Sequence, residues 1–175
     1  MSIAHNLATY LDDQAIHYST IHHPESSCSA DSARSANIPL HQMIKAILLK
    51  QGNNYLVALI PADHRLDLRK INQNRQNHWS KANQNDLNKV FQDCQPGAIP
   101  GVPSAYHLSA LWDSTIAKNE HVYMESGNHE ELISMSKRQF LSLIATQQNG
   151  EFSHLSAGYP PSSAQFDPED NGAEF

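Results

Sequence analysis

Two nearly unbroken apolar runs, Met43-Ile-Lys-Ala-Ile-Leu-Leu-Lys50 and Tyr55-Leu-Val-Ala-Leu-Ile60, flank the short polar segment Gln51-Gly-Asn-Asn54. Apolar, β-favouring runs around a glycine-containing turn predict a β-hairpin. Neither run alternates with polar residues, so both faces of the hairpin must be covered, which places it centrally in its sheet. A chain of 175 residues that is 39% hydrophobic and 17% charged supplies one such core, fits one compact domain, and is too apolar to be wholly disordered. No apolar run approaches the length of a membrane span, and the mean hydropathy of -0.53 agrees. The first residues carry acids early and no basic segment, so no secretory leader is expected there and a cytoplasmic setting is the default.

The remaining segments predict a mixed α and β chain without internal repeats. Leu7, Tyr10 and Leu11 share one face of a short first helix, and Ile16–Ile21 has β character up to Pro24. A helix is expected from Ser29 to Ala36, capped by a serine. Asp67 is placed to cap a helix through Ile71, and Asn85 or Asp86 another through Phe91, with a polar surface stretch from Asn72 to Asn88. Cys94-Gln-Pro-Gly-Ala-Ile-Pro-Gly-Val-Pro103 must be a loop. Strands are expected at Tyr106–Leu108, His121–Glu125 and Glu131–Met135. Ser136-Lys-Arg-Gln139 reads as a capping box opening a last helix, with Phe140, Leu143 and Ile144 inward and Asn149-Gly150 at its end. Residues 1–150 form the expected domain, and 151–175 an acidic tail expected to lack order.

The net charge is -6, and the segment from Asn149 onward holds five acids and no Lys or Arg, leaving residues 1–148 at -1. Within that near-neutral body, His64–Lys81 concentrates Arg65, Arg69, Lys70, Arg75 and Lys81 against Asp67. This is either a solvated helix face or a local contact for a polyanion, and it is no general nucleic-acid coat.

No nucleophile elbow, phosphate-binding glycine loop or zinc-protease motif is present. Two cysteines, Cys28 and Cys94, cannot frame a disulfide scaffold and are expected to be buried, inert thiols. Eleven histidines invite a metal, but adjacent His22 and His23 would point to opposite strand faces, so no metal site is expected. Three features remain. Lys45 interrupts a core-like run, and its ammonium either snorkels to solvent or stands at the floor of a cleft, holding a phosphate or polarising an ester. Gly97-Ala-Ile-Pro-Gly101 is either a tight connection or a stiff loop presenting N–H groups to a developing oxyanion. Gly127-Asn-His-Glu130 is either a decorated turn or a place where His129, with a reference pKa of about 6.5, moves a proton or donates to substrate.

Together and in this order the three features form a pattern. A lysine precedes Tyr55-Leu-Val-Ala-Leu-Ile-Pro-Ala-Asp-His-Arg-Leu-Asp-Leu68; then come Phe91-Gln-Asp-Cys-Gln-Pro-Gly-Ala-Ile-Pro100 and Glu125-Ser-Gly-Asn-His-Glu-Glu-Leu-Ile-Ser-Met-Ser136. From about Ile16 to Ile144 this resembles the YbaK/prolyl-tRNA synthetase-associated family of editing domains and free-standing deacylases, the last two segments being most similar to the trans-editing members. The resemblance implies a single α+β domain with a strongly twisted, barrel-like mixed sheet wrapped by helices. It implies a cytoplasmic trans-editing hydrolase that cleaves the ester of misacylated tRNA, with no cofactor, no membrane and no DNA partner. Small amino acids such as alanine, serine or cysteine, on tRNA-Pro among others, are the implied cargo, and an aminoacyl-tRNA synthetase is a candidate partner. Lys45 would anchor the terminal adenosine near the ester, and Gly97 would polarise the carbonyl with water activated by the ribose hydroxyl. Ala98, Ile99, Pro100, Gly101, Gly127 and His129 would shape the substrate pocket, with Arg65, Arg69 and Lys70 as weak contacts to tRNA. Many relatives carry a second proline where this chain has Gly101, a departure expected to loosen the loop. The competing expectation is a non-catalytic module of the same fold that binds tRNA, a synthetase or a nucleotide.

Overall fold

The computed structural model describes residues 3–73 and 78–157. The predicted hairpin is its centre. Strand β2 (Met43–Gln51) pairs antiparallel with β3 (Asn54–Pro61), Ile44 opposite Pro61 and Gln51 opposite Asn54. Gly52 takes the left-handed conformation that the tight turn needs (φ 59°). The other strands are β1 (Ser19–His22), β4 (His64–Leu66), β5 (Ser80–Lys81), β6 (Ser109–Asp113), β7 (His121–Glu125), β8 (Glu131–Ser136), β9 (Gln148–Gly150) and β10 (Ser153–Leu155). They form a mixed sheet in the order β1-β8-β7-β2-β3-β6-β9, with β5 also on β2, and a separate β10-β4 pair. The β2–β7, β3–β6 and β6–β9 pairs are parallel. Helices α1 (His5–Asp13), α2 (Ser29–Ser35), α3 (Leu68–Gln73), α4 (Gln84–Val90) and α5 (Lys137–Leu143) complete a single α+β domain.

Alternation along β2 divides the interior. Ile44, Ala46 and Leu48 enter the main core with Leu7 and Leu11 of α1, Leu87 of α4, Met124 of β7 and Phe140 of α5. Met43 turns to the other face, against Ala33 of α2 and Leu132 of β8, while Ile47 and Leu49 meet Ile71 of α3 and Phe152. Each such side chain taken fully out of water contributes about 1.5–3 kcal/mol, which is why the two unbroken runs dictate the centre of the fold.

Several local expectations shift. The helix at 29–35 is capped by Cys28 in extended conformation, without a side-chain bond, and not by a serine. The cap of α4 is Asn83 rather than Asn85 or Asp86; Asp86 is the third residue of its capping box. His107 takes a left-handed backbone (φ 57°) after the 3-10 turn Pro103–Tyr106, so the strand predicted at Tyr106–Leu108 starts at Ser109 instead. The polar stretch 72–88 contributes β5, while residues 74–77 lie outside the described residues. The capping box at Ser136 and Gln139 is present, yet α5 ends at Leu143, and Asn149-Gly150 belong to β9. Packed chain continues past residue 150: Phe152 is buried, and β10 pairs with β4. The rest of the acidic tail, 158–175, lies outside the described residues.

Candidate functional site

The turn joining β7 to β8 holds the most constrained glycine among the described residues. Gly127 has φ 103°, and a Cβ built there would sit 2.4 Å from the Ala4 Cβ. The backbone of Ala4 is pinned there because its N–H donates to the Ser126 carbonyl at 2.8 Å. Only glycine combines that backbone with that approach. The turn is sewn to the glycine-proline loop by three bonds. Gln95 N–H donates to Gly127 O at 2.8 Å, His129 N–H donates to Gln95 Oε1 at 2.9 Å, and His129 Nε2 lies 2.7 Å from Pro96 O. His129 therefore serves as a strut between turn and loop, its ring donating through Nε2, while its buried Nδ1 has no partner among the described residues.

Within the loop, Gly97 is half-exposed with φ 90°, whereas Ala98, Ile99, Pro100 and Gly101 are buried. The Ala98 N–H is consumed by Gln95 O at 3.1 Å. Gly97 is thus the loop residue whose main chain is best placed to meet a ligand. Ile99 packs into the main core, and a Cβ at Gly101 would lie 3.2 Å from Ile44 Cγ2 and 3.4 Å from Met124. The looseness expected at Gly101 is absent: the position is tightly filled.

Lys45 is half-buried in β2, opposite Ile60 of β3. Its place relative to the loop follows from register. Ile44 pairs in parallel with Met124, so one residue further on Lys45 stands beside Glu125, where β7 gives way to the turn. Gly101 touches Ile44 and Met124, but Lys45 alternates to the other face, the one covered by α2 and α3. Lysine and loop are accordingly brought to one level of the sheet from its two faces, where the 126–130 turn closes the end of the β7–β8 pair. Ser26 completes the join on the lysine's face by donating its N–H to His129 O at 3.1 Å. It opens on a depression of about 570 Å³ that Glu25, Ser27, Asp31, Arg34 and Ser35 also line.

Sequence reasoning missed Glu125, which is 1% exposed. Burial pushes its carboxyl up to about 7, against hydrogen bonds from Ser32 and Ser29 that pull it down. Ser32 Oγ lies 2.7 Å from Glu125 Oε1, and Oε2 has no partner among the described residues. The signal was a glutamate closing an apolar strand, which reads equally well as a solvated strand end.

The basic residues lie further along the lysine's face. Arg65 on β4 donates through Nε to Ser156 Oγ at 2.9 Å, Arg69 reaches Asp67 at 3.4 Å, and exposed Lys70 borders a cleft of about 550 Å³ with Trp79, Gln147 and Phe152. Both cysteines are partly exposed rather than buried. Burial nevertheless pushes the Cys94 thiol up to about 12 and raises Cys28, so neither is a thiolate at neutral pH. No group of three His, Cys, Asp or Glu side chains able to hold a metal occurs among the described residues.

Three solved structures share this architecture. A candidate trans-editing enzyme for prolyl tRNA synthetase superposes with TM-score 0.72 at 17% identity, covering 86% of this chain and 96% of its own. The hypothetical protein APE2540 gives 0.74 at 14%, covering 85% of this chain and 99% of its own. A candidate signal transduction protein from Marinobacter aquaeolei VT8 gives 0.69 at 20%, covering 85% of this chain but 30% of its own. At such identities they speak for the fold. No curated protein matches the chain. The family model for the aminoacyl-tRNA editing domain matches residues 22–143, a span that holds Lys45, the glycine-proline loop and the 126–130 turn. The chain belongs to the aminoacyl-tRNA editing domain family.

Proposed function

We propose that this protein is a trans-acting aminoacyl-tRNA deacylase that hydrolyses the ester of tRNA mischarged with a small amino acid such as alanine, serine or cysteine. The observation that carries the reading is the sewn unit of Gln95–Gly97 and Gly127–His129 set at the level of Lys45. An aminoacyl ester is already activated, so positioning, carbonyl polarisation and one water suffice without a covalent nucleophile. The raised thiols of Cys28 and Cys94 agree with a route that does not use them. In this account Lys45 anchors the 3′ end by charge and the Gly97 main chain polarises the ester carbonyl. The ribose hydroxyl next to the ester orients the water. Gly127 and His129 hold the loop in place, and Ala98 to Gly101 give it a packed backing. Arg65, Arg69 and Lys70 touch the acceptor stem weakly, and charged tRNA in the cytoplasm is the substrate pool, with tRNA-Pro one carrier and a synthetase a candidate partner.

The test is a panel of mischarged tRNAs incubated with the protein, with released amino acid measured against a no-enzyme control. Enzyme-dependent release of at least one small amino acid is expected. Tight tRNA binding without release from any member would replace the reading with a non-catalytic tRNA-binding module.

A further inference from the structure

Ser32 Oγ carries one hydrogen and has three polar neighbours: Glu125 Oε1 at 2.7 Å, Ser26 Oγ at 2.7 Å and Cys28 O at 3.1 Å. Ser26 in turn reaches the His129 carbonyl with its N–H at 3.1 Å and its hydroxyl at 3.4 Å. From His129 the bonds run on to Gln95 and Pro96, at the foot of Gly97. An unbroken chain thus links a fully buried carboxyl to the loop that faces the substrate. The deacylase reading leaves the inner half of that chain without a task.

We propose that Glu125 is a positioning residue of the deacylase: through Ser32 and Ser26 it fixes the His129 carbonyl and so the seating of the turn against the Gly97 loop. This rests on the deacylase reading for its effect on turnover and on the hydrogen-bond chain for its effect on structure. Hydrogen counting separates the two protonation states of the acid. A protonated carboxyl donates to Ser32 Oγ, Ser32 donates to Cys28 O, and the Ser26 hydroxyl remains available to Ser32 or His129. A carboxylate takes the single Ser32 hydroxyl hydrogen for itself and leaves Cys28 O with the Ser32 N–H at 2.9 Å. Burial favours the neutral form, consistent with a carboxyl that titrates at about 7.

The groups facing this carboxyl are Ser29 and Ser32 from α2, with Asp31 and Arg34 paired on the same helix at 3.0 Å. Lys45 stands beside it on β2. In the turn and the β1–β8 pair, Glu131 is bonded to Asn128 at 3.2 Å and to His22 at 3.3 Å, His23 Nδ1 lies 2.8 Å from Pro24 O, and the His129 ring donates to Pro96 O.

The experiment measures kcat and KM for deacylation by wild type, Glu125→Ala, Glu125→Gln and Ser32→Ala from pH 5.5 to 8.5, after subtracting uncatalysed hydrolysis. Glu125→Ala and Ser32→Ala should lose tenfold or more in kcat with KM nearly unchanged. Glu125→Gln, which keeps a neutral donor at the same place, should recover most of that loss. The ratio of wild-type to Glu125→Gln kcat should fall as pH rises through 7. In parallel, the backbone amide signals of Ser26 and Gln95 should shift with pH in wild type and hold still in Glu125→Gln. Equal kcat in wild type and Glu125→Ala, or a pH-independent ratio, overturns the inference. If wild type releases no amino acid at all, the deacylase reading fails instead, and the amide signals alone decide whether Glu125 sets the turn: identical pH shifts in wild type and Glu125→Gln overturn it.

Discussion

Replacing Gly127 by alanine asks the structure for two things it cannot give. The new Cβ would stand 2.4 Å from the Ala4 Cβ and 3.2 Å from the Ala4 nitrogen, on a residue whose φ of 103° lies where L side chains rarely go. The backbone strain costs about 1–3 kcal/mol. Forcing Ala4 aside costs about another 1–3 kcal/mol, as overpacking generally does. The sum, about 2–6 kcal/mol, is a large part of the 5–15 kcal/mol that typically holds a domain together. For a chain of this size it corresponds to a fall in Tm of roughly 5–20 °C. Urea and thermal unfolding followed by circular dichroism give the number. The Ala4→Gly background separates the two costs: it removes the 2.4 Å contact but not the φ strain, so the double variant should recover about 1–3 kcal/mol by non-additivity. A Gly127→Ala variant within about 0.5 kcal/mol of wild type, or strict additivity with Ala4→Gly, would refute this reasoning.

Asp113 accepts bonds from Thr115 N and Oγ1, Phe152 N, and Ser153 N and Oγ between 2.7 and 3.1 Å. Burial pushes its carboxyl up, but these bonds outweigh it and hold it below the ordinary range. The stability it lends is therefore present above the unfolded carboxylate value of about 3.9 and lost as pH falls through the lower folded value. Asp113→Asn should cost about 3 kcal/mol at pH 7 by urea unfolding, with the gap to wild type closing towards pH 2; a gap constant with pH contradicts it. With about three phosphate contacts from Arg65, Arg69 and Lys70, raising salt from about 50 to about 200 mM should slow deacylation at subsaturating tRNA roughly twentyfold to fortyfold. The triple alanine variant should flatten that dependence, and an unchanged slope removes these residues from the interface. Cys94→Ser should keep its deacylase rate within about twofold, because a thiol held near 12 is no nucleophile; complete loss of release with an intact fold would restore a covalent route.

What was legible in the sequence is what short-range pattern encodes. The hairpin of β2 and β3 was readable because two nearly unbroken apolar runs around a glycine turn favour one arrangement, and α5 because a capping box and an apolar stripe agree about where it starts. Strands β9 and β10 were not, since three residues are too few to display a period. The start of β6 was displaced by His107, an exposed left-handed residue that closes the preceding 3-10 turn through its N–H to Ser104 O. At the site, Lys45, Gly97 and His129 stood out as residues that break a local rule. Their relation did not: that Lys45 and Gly101 address opposite faces follows from the β2–β7 pairing, which no local window contains. Glu125 stayed hidden because its partner Ser32 is distant in the chain and each residue alone looks ordinary.

The central claim is most directly tested by the single-turnover rate of Lys45→Ala on tRNA carrying the amino acid that wild type releases fastest, with enzyme in excess. If Lys45 anchors the 3′ end at the level of the Gly97 loop, the rate drops by about a hundredfold or more, as loss of one charge-positioning group does, while the unfolding midpoint stays within a few degrees of wild type. A folded Lys45→Ala protein that releases the amino acid at the wild-type rate contradicts the account.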